Sequence, residues 1–89
     1  MAESSVVKLE GALTLETVAA CFGRALPAGN VALDFSGVTC VDSSALALLL
    51  AWLRRLKARE SEAELRALPE SLLTLARLYG IDALLPLAA

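Results

Sequence analysis

The residues best equipped for chemistry stand together as Asp42-Ser43-Ser44, directly before a long apolar stretch. A β-prone segment, Val38 to Val41, precedes them. The triplet is therefore expected at the carboxyl end of a strand, where open α/β sheets place their sites. One use for it is plain N-capping, with Asp42, Ser43 or Ser44 accepting hydrogen bonds from the unpaired N–H groups of a helix start. The other is an accessible hydroxyl. A phosphate there would meet those N–H groups and the helix dipole, and would add about two negative charges beside Asp42.

Catalysis by these serines has little behind it. The chain contains no His, no G-x-S-x-G, and neither Lys8 nor Lys57 at a recognisable base spacing. A Ser nucleophile needs an activating base. Gly11, Gly23, Gly29, Gly37 and Gly80 are scattered and form no phosphate-binding loop. Asp34 and Asp42 are two carboxylates without a further ligand cluster, which is weak ground for a cation. No catalytic residue, cofactor or metal ligand is expected.

Composition narrows the class. The chain has 89 residues, of which 57% are hydrophobic and 20% charged, with a net charge of -2. That hydrophobicity excludes intrinsic disorder, and the lack of a basic tract weighs against nucleic acid. Cys21 and Cys40 form no C-x-x-C pair and read as free, buried, small apolar residues in a cytosolic setting. The N-terminus does not read as a signal peptide. The most apolar run, Ser44 to Leu53, is half of the ~20 residues a membrane-spanning helix needs, so no direct membrane insertion is expected. So small a domain cannot bury this much apolar surface. An exposed apolar patch, and a partner to cover it, are expected.

The elements that position the triplet follow from periodicity. Val6 to Glu10 reads as a strand closed by Gly11. Asn30 to Phe35 reads as another, with Val31, Leu33 and Phe35 on one face, and Glu64 to Leu68 as a third. Three helices alternate with them. The first is capped by Thr14, carries the stripe Leu15, Val18, Ala19, Phe22 and Leu26, and is ended by Pro27. The second runs from Ser43 or Ser44 to about Arg59. The third begins near Pro69 and Glu70, carries Leu72, Leu75, Ala76 and Tyr79, and stops at Gly80. Strands separated by helices imply a small, mostly parallel α/β sheet in a single domain spanning residues 1–89. The tail from Leu84 is expected to pack back on the sheet as a half-turn or to fray.

The second helix has two apolar faces. At about 100° per residue, Leu46, Leu49, Leu50 and Leu53 cluster within about 60° of one direction, and this face is expected on the sheet. Ala45, Leu48 and Trp52 point roughly 80 to 140° away, continuous with Arg55 and Arg59. That reading makes Ser43, Leu48 and Trp52 a docking surface with Arg55 at its rim. The alternative tucks Trp52 against a neighbouring helix.

At these residues the sequence resembles a STAS domain, the fold of anti-sigma-factor antagonists and of the cytoplasmic tails of sulfate transporters. The family pattern appears as Asp34-Phe35-Ser36, then Val38 to Val41, then Asp42-Ser43-Ser44-Ala45-Leu46, with Ala45 where the family has Gly. Within the family, Ala45 to Leu50 and the segment Pro69 to Ile81, with its Leu75-Ala76-Arg77-Leu78-Tyr79 core, resemble the small MlaB-like STAS subunit of phospholipid ABC transporters. The resemblance implies a non-enzymatic subunit, cytoplasmic and peripheral on the inner membrane. It would dock on an ABC-type ATPase, and through it on a membrane permease, in the upkeep of outer-membrane lipid asymmetry. The alternative it implies is an anti-sigma-factor antagonist phosphorylated at Ser43. On either reading Asp42 and Ser44 are expected as loop and helix cap. The resemblance also implies that the family's first strand is missing, leaving Val6 to Leu9 as a sheet edge.

Overall fold

The structure, a computed structural model, describes residues 4–86. The chain runs β1 (Ser5–Leu13), α1 (Leu15–Phe22), β2 (Val31–Val41), α2 (Ser43–Ala58), β3 (Ala63–Arg66) and α3 (Glu70–Leu78), then a 3-10 turn at Asp82–Leu84. The strands form one sheet in the order β1-β2-β3, and both pairings are parallel. This is the small α/β architecture expected, with three helices packed on the sheet.

Strand alternation decides which face the helices cover. Val7, Leu9 and Leu13 of β1, Val31, Leu33 and Phe35 of β2, and Leu65 of β3 are buried. Residues two apart share a face, so these side chains form one floor. The opposite face carries Lys8, Asp34 and Arg66, which lie in register across the three strands. Over the floor, α2 packs between α1 on the β1 side and α3.

β2 is longer than the segment Asn30 to Phe35 and absorbs the Val38 to Val41 stretch into one continuous strand. Two register shifts against β1, between Lys8 and Glu10 and between Gly11 and Ala12, make this possible. Each inserts an extra residue on β2 and hides the alternation from a sequence reading. At the first shift Gly37 lies so close to β1 that a Cβ there would fall 2.9 Å from the Glu10 Cγ and 3.1 Å from the Leu9 carbonyl oxygen. Gly37→Ala is therefore expected to cost about 1 kcal/mol in urea unfolding, and Gly37→Val more, as backbone must give way. Beyond these shifts Cys40 is exposed and Cys21 is half-buried, both as free thiols. The expectation that both are buried fails for Cys40 and is only half met by Cys21.

The first helix also differs from its reading. It ends at Gly23, before Pro27, and of its apolar stripe only Val18 is buried. Leu15 and Phe22 are exposed, at 75% and 43%. The third helix ends as its sequence implied: Gly80 adopts φ 71°, and its N–H bonds the Arg77 carbonyl while that of Ile81 bonds the Ala76 carbonyl. These paired bonds are the Schellman arrangement that glycine permits. Tyr79, however, caps this helix exposed rather than buried. The tail packs back: Leu85 is buried, and the Leu65 N–H on β3 donates to the Pro86 carbonyl at 2.9 Å.

Candidate functional site: the junction of two helix starts

Asp42 sits where β2 ends and α2 begins, in extended backbone at φ -134°. The geometry leaves its carboxylate free to face forward along the helix, and Oδ1 accepts the Ser44 N–H at 2.9 Å. The Ser44 hydroxyl donates to the same oxygen. Oδ2 turns the other way and accepts the Leu15 N–H at 3.0 Å. Leu15 is the first residue of α1, 27 positions before Asp42 in the chain, so one carboxylate caps two helices. Both helix starts carry partial positive charge, which favours an anion between them. The Ser44 hydroxyl and the Leu15 N–H, in that order, hold Asp42 below its ordinary carboxyl range.

Thr14 occupies the N-cap position of α1 as expected, but Thr17 and Asp42 do the work. The Thr17 hydroxyl accepts the Thr14 N–H at 2.9 Å and donates to the Ala12 carbonyl at 2.8 Å. Asp34 faces a different task on the open side of the sheet. Its Oδ1 accepts the Ser36 N–H at 2.9 Å. That bond, then the Ser36 hydroxyl and the cations of Lys8 and Arg66, lower its pKa.

Ser43 is the first residue of α2 and is exposed. Its side chain makes no hydrogen bond to another described residue, unlike that of Ser44. The roles expected of the triplet thus separate: Asp42 and Ser44 form the cap, and Ser43 presents a hydroxyl to solvent.

The docking surface expected around Ser43 is not where the helical wheel put it. Leu48 and Trp52 are each 1% exposed, inside the core. The buried side of α2 is Ala45, Leu46, Leu48, Leu49, Trp52 and Leu56, while Leu50 and Leu53 are only half-buried. At about 100° per residue the buried sector is turned some 80° from the expected one, toward Trp52. The cause is the helix layer: α2 has neighbours on both flanks as well as the sheet below. Trp52 lies on the same stripe as Arg55 and Arg59, and those guanidinium groups reach the α1–β2 connection. Arg55 Nη1 donates to the Arg24 carbonyl at 3.2 Å. Arg59 Nη2 donates to the Pro27 carbonyl and, at 3.0 Å, to that of Gly29. Leu48 and Trp52 cannot be surface anchors, and Arg55 tethers a loop on the flank away from Ser43.

The stripe of α2 that starts at Ser43 presents Ser43, Ala47 and Arg54 to solvent, with Leu50 and Ala51 half-buried among them. Small residues on this stripe let another surface come close. Beside it Leu50, Leu53, Arg54, Lys57, Ile81 and Leu84 line a shallow depression of about 430 Å³. Leu84 is exposed, as are Leu78 and Tyr79 at the end of α3. The apolar patch expected from composition therefore exists, on the α2–α3 side. Centring the wheel on the bulkiest apolar residue, Trp52, rather than on the most leucines would have found it.

A family model described as Mlab, STAS domain, matches residues 1–86. The chain belongs to the STAS family. STAS domains are generally non-enzymatic regulatory or assembly domains. A search of the curated proteins finds no match to the chain. Among the described residues no helix is long and apolar enough to cross a membrane.

Proposed function

We propose that this STAS protein is a non-enzymatic assembly subunit that docks on the cytoplasmic ATPase of a phospholipid-transporting ABC complex. It would be peripheral on the inner membrane through that ATPase and its permease. The observation that carries the reading is the MlaB-type family match over residues 1–86, joined to a solvent-facing α2 stripe that starts at an exposed Ser43. Ser43 lies at the edge of the contact, Ala47, Leu50 and Ala51 form its close-packed floor, and Arg54 lies at its rim. Flat apolar floors with charged rims suit stable association, the floor supplying affinity and the rim register.

The test is a pull-down on the purified ATPase, with urea unfolding of each variant alongside. Ala47→Arg and Ser43→Glu should each weaken binding at least about tenfold, which is about 1.4 kcal/mol, while leaving the unfolding midpoint near that of the parent. Ser43→Ala should bind better than Ser43→Glu, because glutamate places a fixed negative charge beside Asp42. If both bulky variants bind like the parent, the α2 stripe is not the docking face. If the parent does not bind at all, the ATPase reading falls.

A second reading, an anti-sigma-factor antagonist switched by phosphorylation, is favoured by the exposed and unbonded Ser43 hydroxyl. Incubation with a cognate anti-sigma kinase and ATP should then add one phosphoryl group to the intact mass, and Ser43→Ala should abolish the addition.

A further inference from the structure

The two edges of the sheet are treated differently. The β3 edge is closed by the bond from the Leu65 N–H to the Pro86 carbonyl. Among the described residues nothing pairs with the outer edge of β1, a strand of 9 residues. Strand geometry states which groups are left over. The Ser5 N–H donates to the Asn30 carbonyl, and the Leu13 carbonyl accepts the Asp42 N–H. The odd-numbered residues thus turn their backbone groups toward β2. Val6, Lys8 and Glu10 turn theirs outward, because successive residues alternate.

β1 contains no proline, and its exposed charges are Lys8 and Glu10. A lysine on an edge ordinarily discourages strand pairing. Here it is followed two positions later by an acid on the same face, at 3.7 Å. That order is self-complementary. Two antiparallel copies of β1 related by a two-fold axis at Leu9 set Lys8 of each copy opposite Glu10 of the other. Both residues have outward backbone groups, so they form a hydrogen-bonded pair. Moving the axis to residue 8 would oppose lysine with lysine, and moving it to residue 10 would oppose glutamate with glutamate. Such like-charge pairs are unfavourable.

The helix beside this edge points the same way. α1 packs on β1 and flanks α2, and its Leu15 and Phe22 remain exposed. An antiparallel strand pair about a two-fold axis keeps both helix layers on one side of the joined sheet. The two α1 helices then become neighbours, and their uncovered apolar residues gain a common shelter.

We propose that the occupant of this edge is a second copy of the chain, joined β1 to β1 in the Leu9-centred register to make one continuous six-stranded sheet. This surface is separate from the α2 stripe, so the inference stands whether or not the ATPase reading does. Sedimentation equilibrium across a protein concentration series should show a reversible monomer–dimer system, weaker at high salt. Lys8→Glu and Glu10→Lys should each raise the dimer dissociation constant at least about tenfold, since each places like charges opposite one another. The exchanged double variant, Lys8→Glu with Glu10→Lys, should recover to within about threefold of the parent by the same pairing. Lys8→Pro should also abolish dimerisation, because it removes an outward N–H and leaves the β2 ladder intact. Circular dichroism of each variant checks that the monomer is folded. A parent that stays monomeric throughout overturns the proposal. So does a dimer indifferent to the single reversals, or one that the exchange fails to restore.

Discussion

Trp52→Ala should lower the free energy of unfolding by about 3–5 kcal/mol. Trp52 is among the largest fully buried side chains, and truncating it forfeits the burial of an indole and leaves a cavity. At roughly 0.05–0.15 kcal/mol per residue, that loss is a large part of the total for a chain of 89 residues. Urea unfolding should show a much lower midpoint, and binding to any partner should fall only as the folded fraction falls. Trp52→Phe should cost much less. The indole N–H has no hydrogen-bond partner among the described residues, and a buried unpaired donor is itself destabilising. Phenylalanine forfeits some volume but removes that donor. A Trp52→Ala variant that keeps the parent's midpoint while losing partner binding would return Trp52 to the surface and refute this assignment.

The contrast with the helical wheel shows what is legible in such a sequence. Element order was readable because Gly80, Pro69 and the Asp42-Ser43-Ser44 triplet mark helix ends by local chemistry. The alternation of Val31, Leu33 and Phe35 was readable because the sheet has one covered face. The rotation of α2 was not, because it depends on what flanks the helix. A helix packed by the sheet below and a helix on either side buries a wide sector, and leucine count alone does not locate its centre. The end of β3 was missed for another reason. Ala67 adopts φ 54°, a left-handed conformation that only glycine adopts readily, so the apparent alternation through Leu68 is broken at a residue with no sequence mark. Likewise the double capping by Asp42 joins positions far apart in the chain, and no local pattern reports it.

That double capping carries the second large effect. Asp42→Ala should destabilise the fold more than Ser44→Ala, which removes one hydroxyl donor and should cost about 0.5–1.5 kcal/mol. Asp42→Ala uncaps both α1 and α2 at once and loosens the corner that places Ser43. Asp42→Asn should fall closer to Ala than to the parent. Each carboxylate oxygen accepts from a donor, Oδ1 from Ser44 and Oδ2 from Leu15. An asparagine amide offers one acceptor and sets an NH2 against the other donor. The pH dependence follows from the lowered pKa. Asp42 titrates below its ordinary value of 3.8 in the folded chain, so the unfolded chain takes up its proton first. The stabilisation is fully present above that ordinary value and is lost as pH falls through the folded one. The gap in unfolding free energy between parent and Asp42→Asn should therefore be constant at neutral pH and narrow in acid. Asp34, also lowered, contributes to the parent and the variant alike and cancels from the difference. Urea unfolding of both proteins from neutral pH into acid measures it. A gap that stays constant down to the lowest pH at which both still fold would show that the charge on Asp42 does not hold the two helix starts together.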